Sequence, residues 1–150
     1  MKPHKFLRGL LAASALLLGA GTALAASPQA GARTHAQNFK DMVLATCLAT
    51  AYRGDKDAAR DAGSSVSALR DWTYYDLEQA PDAINALVES HLARDYRNPL
   101  AEAEVPGIRF DLLKCLDLYH GQELEALAKR LVIHPRRTHR QGNPPPAKAR

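Results

Sequence analysis

From Met42 to Ala51 the chain carries no charged residue. A helix lying on a surface would show a polar face over that length, so this stretch predicts a helix covered on most sides. Thr34, with Gln37 three positions on, has the capping-box pattern that opens such a helix. Arg53-Gly54-Asp55 closes it, the glycine as stop and the aspartate as cap of the next helix. Ala58, Ala62, Val66, Leu69 and Trp72 then recur at spacings of three and four, the single apolar stripe of a second helix. Its middle, Gly63-Ser64-Ser65, is poor helix material, and such small side chains predict the close approach of a neighbouring helix. The pattern breaks from Trp72 to Asp76. Ile84, Leu87, Val88 and His91 mark one face of a third helix, starting at Asp76 or at the turn before Pro81, a residue suited to a first turn.

Tyr96 to Gly107 follows no period. Two prolines, a glycine, Glu102 and Glu104 predict an exposed, stiff loop. A fourth helix follows, with Phe110, Leu113 and Leu116 as its apolar positions and a narrow polar stripe of Asp111, Lys114 and Asp117. Gly121 separates it from a fifth, in which Leu124, Leu127, Ala128 and Leu131 repeat at helical spacing. No segment alternates at period two for long enough to form a strand. The fold class expected is all-α, a small bundle of about five helices.

The ends of the chain differ in kind. Lys2, Lys5 and Arg8 precede an apolar stretch, Leu10 to Ala20, that ends in small residues with an A-x-A site at Ala23-Leu24-Ala25. This is the layout of a secretory signal peptide, and the run is shorter than the about 20 apolar residues of a bilayer span. The alternative is an uncleaved N-terminal anchor. The division expected is a signal peptide at 1–25, a flexible leader at 26–33, a helical domain at 34–134, and a basic, proline-rich tail at 135–150 with nothing to bury and hence disordered. No later segment has the length and apolarity to span a bilayer, so no membrane association is expected after cleavage.

Charge and cysteine content sharpen this picture. The formal net charge of +4 is unevenly placed. Three basic residues lie in the signal, and five more (Arg136, Arg137, Arg140, Lys148, Arg150) lie in the tail, which has no acidic residue. The body between them is acidic. A nucleic-acid binder shows its basic patch on the folded body, so that partner class is disfavoured. An exported protein meets an oxidising compartment. Cys47 and Cys115 both sit in apolar helical sequence and read as one intramolecular disulfide tying the first helix to the fourth; two buried free thiols are the alternative.

Catalytic motifs are missing: there is no GxSxG, HExxH, glycine-rich phosphate loop or CxxC. His91/Asp95 and Asp117/His120 have helical spacing for a proton-transfer or metal pair, but pairs of this kind are more often surface ion pairs. Glu102 and Glu104 sit on a loop without a scaffold to fix the separation that glycoside hydrolysis needs. No catalytic residue, metal or cofactor is therefore expected. The loop itself is the remaining feature. A stiff protrusion loses little entropy on docking, and its carboxylates would steer it toward a basic partner; an ordinary solvated connection reads equally well.

Three blocks resemble one known family, the type VI secretion amidase immunity proteins. They are Asn38-Phe39-Lys40-Asp41-Met42-Val43-Leu44-Ala45-Thr46-Cys47-Leu48-Ala49 with Asp55-Lys56-Asp57-Ala58-Ala59, then Ala93-Arg94-Asp95-Tyr96-Arg97-Asn98-Pro99-Leu100, and Phe110-Asp111-Leu112-Leu113-Lys114-Cys115-Leu116-Asp117-Leu118-Tyr119-His120. The likeness runs from about Asn38 to Ile133. It implies a periplasmic, all-helical, usually dimeric protein that blocks the groove of a papain-like peptidoglycan amidase, a cysteine peptidase cutting the stem peptide after D-glutamate, in part with a protruding loop. By position the loop is the stretch from Arg97 to Gly107, with Arg97, Asn98, Leu100, Glu102, Glu104 and Val105 as the expected contacts. Two other classes fit the bare sequence: a periplasmic helical chaperone or acid-stress binding protein, and an envelope enzyme using Asp117 and His120.

Overall fold

The computed structural model of the chain describes residues 28–144; the expected signal peptide at 1–25 lies outside them. Among the described residues there are seven α-helices and no strand. The five expected helices are α1 (His35–Ala51), α2 (Lys56–Asp71), α3 (Ala80–Leu92), α5 (Asp111–His120) and α6 (Gln122–Leu131). Two short ones were not anticipated: α4 (Pro99–Glu104) inside the stretch read as a loop, and α7 (His139–Gly142) in the tail.

Helix α1 begins with the capping box: the Thr34 hydroxyl accepts from the Gln37 amide, and the Gln37 side chain accepts from the Thr34 amide. It packs against α2, α3, α5 and α6, which is why it has no charged face along its second half. Phe39, Met42, Val43 and Cys47 are buried there and meet Ile84 and Val88 of α3, Leu118 of α5, and Leu124 and Leu131 of α6 in one core. The Asp55 side chain accepts from the Asp57 and Ala58 amides and so caps α2.

Cys47 and Cys115 form a disulfide between α1 and α5, with Cα atoms 5.7 Å apart. Among the described residues there is no free cysteine. The bond closes a separation of 68 residues, worth about 4 kcal/mol in the chain-entropy account.

Two details of packing differ from the sequence reading. Gly63-Ser64-Ser65 admit no neighbouring helix: a side chain built at Gly63 would meet open space, and Ser64 and Ser65 are exposed, their hydroxyls turned back onto the carbonyls of Arg60 and Asp61. Helix α2 has no fully buried residue, so tolerance of small polar residues on its outer face needs no packing cause. Helix α5 is turned the opposite way from its expected stripe. Lys114 is buried, whereas Leu112, Leu113 and Leu116 are exposed. Cys115 and Leu118 have to face α1, and at 100° per residue that orientation carries Lys114 inward and the leucines outward.

The ends meet. Gln29–Ala32 forms a 3-10 turn with Ala30 and Gly31 buried, in the segment expected as a leader. The tail returns to it: Thr138 bridges Thr34, and the His35 and Ala36 amides donate to the carbonyls of Arg137 (2.8 Å) and Pro135 (3.1 Å). Order thus continues beyond His134, because the tail supplies acceptors for first-turn amides of α1 that have no partner within the helix. The His35 ring is buried here, with Nδ1 donating to the Trp72 carbonyl at 3.1 Å and the ring edge-on to Tyr74.

Reducing the disulfide, or replacing both cysteines by alanine, should lower unfolding free energy by about 2–4 kcal/mol in urea titration; a change of a few tenths would show that α1–α5 packing suffices alone. Burial holds the His35 pKa below its ordinary value of 6.5, with the nearby His139, Arg137 and His134 adding to the effect. The unfolded chain therefore binds the extra proton first, so stability is complete above about 6.5 and declines as pH falls through it. Urea midpoints taken at successive pH values should show that decline, and His35→Asn should remove its His35 share.

Candidate partner-binding site

Asn98 starts the protruding segment. Its side chain accepts from the Leu100 amide at 3.0 Å, and Pro99, whose missing N–H costs nothing in a first turn, sets α4 going. Eight residues after Pro99 the chain turns back at Gly107, whose φ of 77° suits a residue without Cβ. Its amide donates to Glu102 Oε1 at 2.8 Å, so the protrusion is closed on itself by one of its own carboxylates. Phe110 is left-handed as well, with φ of 54°, and swings the chain into α5.

The base of the protrusion is braced from α5. The Lys114 ammonium donates to the Leu92 carbonyl at the end of α3 (3.0 Å) and to Asp111 Oδ1 (3.1 Å). It also lies 5.9 Å from the centre of the Tyr96 ring. The Tyr96 hydroxyl donates to Asp117 Oδ2 at 2.6 Å, a bond that pushes the phenol pKa up. Arg97 is engaged with Asp95 through Nε and Nη2, at 2.8 and 2.5 Å to Oδ2, and holds that carboxyl below the usual range.

The expected contact residues come together on this one segment, with unequal freedom. Leu100 is 82% exposed, a leucine presented almost whole to water. Val105 and Glu104 are exposed too. Glu102 and Asn98 are occupied with closing the segment, and Arg97 with Asp95. The residues the sequence reading missed adjoin it. Tyr52, Ile108, Phe110, Leu112, Leu113 and Leu116 line an open groove of about 590 Å³ that begins at Gly107. The signal for them was present: α5 has more leucines than one buried face accommodates.

The pairs weighed for chemistry do not assemble. Asp117 is taken by Tyr96, and the His120 ring rests edge-on against Tyr119. His91 is buried with Nδ1 donating to the Leu87 carbonyl, whereas Asp95 is turned to Arg97. Among the described residues no group of three or more metal-ligating side chains converges.

Residues 37–128 match the family described as type VI secretion system (T6SS) amidase immunity protein, Tai4. The chain belongs to this immunity family. A solved structure from Serratia marcescens, described among new type VI-secreted toxins and self-resistance proteins, is 28% identical with a TM-score of 0.70, covering 83% of this chain and 98% of its own. The effector–immunity system Tae4/Tai4 from Salmonella typhimurium contains a chain 23% identical with a TM-score of 0.60, covering 70% of this chain and 96% of its own; it bears on the fold alone. A search of curated protein sequences gives no match.

In this immunity-family chain the Lys114 brace should be separable from the core. Lys114→Ala leaves the largely buried Asp111 carboxylate with the exposed Arg109 (3.2 Å) as its remaining ion-pair partner and removes the side-chain donor to the Leu92 carbonyl, and should cost about 2 kcal/mol in urea unfolding. Tyr96→Phe should cost well under half of that, since its partner is exposed. Equal costs would mean that Lys114 contributes no more than a surface contact.

Proposed function

We propose that the chain is exported to the periplasm and there binds a cognate type VI secreted peptidoglycan amidase, blocking its active-site groove without any catalysis of its own. The observation that carries this reading is the shape of the segment from Arg97 to Gly107: a protrusion stiffened by its own cap, its own carboxylate–amide bond and the brace beneath it, with Leu100 exposed on it. A preformed protrusion gives up little conformational freedom on docking, which favours a long-lived complex. Family membership supplies the partner class. The apolar groove on α5 continues the same surface, so the contact extends from Leu100 across Val105 to Leu113 and Leu116. The papain-like nature of the amidase and the pairing of two immunity chains belong to this reading through the resemblance.

Isothermal titration of the oxidised protein with the amidase encoded by the neighbouring gene, alongside a peptidoglycan-cleavage assay, tests it. Tight binding with loss of cleavage is expected. Leu100→Asp and the double replacement of Glu102 and Glu104 by Lys should each weaken binding at least tenfold while the circular dichroism spectrum is retained. Because Glu102 also closes the protrusion, Glu104→Lys alone isolates the charge effect. Unchanged affinity in all of these variants would move the interface elsewhere, and no binding to a folded amidase would sink the reading.

A further inference from the structure

Past Glu125 the sequence contains no acidic residue, and Arg136, Arg137 and Arg140 lie at the corner where the segment after His134 returns to the start of α1. Arg136, Arg137 and Arg140 are exposed there, together with His134 and, half-exposed, His139. None of the three arginines has a carboxylate within ion-pair distance among the described residues. The corner is held in place by main-chain atoms: it is the carbonyls of Pro135 and Arg137 that accept from α1, which leaves the guanidinium groups of Arg136 and Arg137 outside that hydrogen bonding. Beside them, Tyr74 and Ile133 are each 49% exposed and line a hollow with His134 and Arg137. The match to the immunity family stops at residue 128, short of all these tail residues.

We propose that this corner docks on a bilayer surface rich in anionic phospholipid headgroups. Guanidinium groups pair with phosphate in a two-pronged geometry, and clusters of Lys and Arg are drawn to anionic leaflets. A tyrosine and an isoleucine among the cations suit the headgroup boundary, where an aromatic ring and an aliphatic side chain lose water while charges stay wet. The acidic body is repelled by the same surface, which sets an orientation with the tail corner toward the lipid and the body away from it. No helix among the described residues is long and apolar enough to cross a membrane, and docking of this kind needs none.

The test is co-sedimentation of the oxidised protein, cleaved after Ala25, with vesicles of phosphatidylglycerol and phosphatidylethanolamine, compared with phosphatidylcholine alone. Binding to the anionic vesicles only, weakened by added salt, is expected. The triple variant R136Q/R137Q/R140Q should lose about a hundredfold in partitioning, at about fivefold for each arginine. It keeps the main-chain bonds of the corner, and an unchanged thermal melt checks that the fold is intact. A second variant, Ile133→Ser, should weaken binding without altering charge. Equal binding to neutral vesicles, no binding to anionic ones, or full binding by the folded triple variant would overturn the proposal. So would binding to a poly-glutamate peptide as strong as to vesicles, which would make the corner a surface for acidic polypeptides.

Discussion

The fold depends on the contact between α1 and α5, where Cys47 and Cys115 are joined in the middle of the apolar core. A domain of this size has one core and a small margin between burial and chain entropy. Helix α1 is surrounded by four partners, so each of them must show it an apolar face, and the register of each is set by that demand. A covalent link at the centre of this arrangement removes freedom from the unfolded chain while the helices supply the specificity. The two contributions address different states, and neither replaces the other.

The demand is most visible in α5. To place Cys115 and Leu118 against α1, the helix buries an ammonium group and leaves three leucines facing outward. The buried cation is satisfied by a carbonyl at the end of α3 and by Asp111, and the same ammonium sits over the ring at the root of the protrusion. A single orientation of one helix therefore generates both halves of the candidate site: the brace on its inner side and the apolar groove on its outer side.

Much of this was legible in the sequence where one residue pattern admits one packing. The uncharged run of α1, its capping box, the repeat in α6 and the pairing of the two cysteines all translate directly. The rotation of α5 was not legible, because leucines and a lysine at helical spacing fit two orientations, and the partner that chooses between them lies 68 residues away. The structure of residues 135–144 escaped for a related reason. Basic, proline-containing sequence has nothing to bury, but its main-chain carbonyls serve a helix start that composition does not reveal. The location of the candidate site was legible as a break in periodicity at Tyr96–Gly107; its shape was not, since Asn98, Glu102 and Gly107 make a compact unit only once the chain has turned back.

The placement of the disulfide has a bearing on what happens when the protrusion is attacked. Exposed segments of this kind are where proteases nick a folded chain. A cut between Arg97 and Gly107 falls between Cys47 and Cys115, so the two fragments stay covalently joined through the core. The nicked molecule stays in one piece under oxidising conditions and comes apart only on reduction. Scission of this exposed segment therefore leaves the rest of the protein connected.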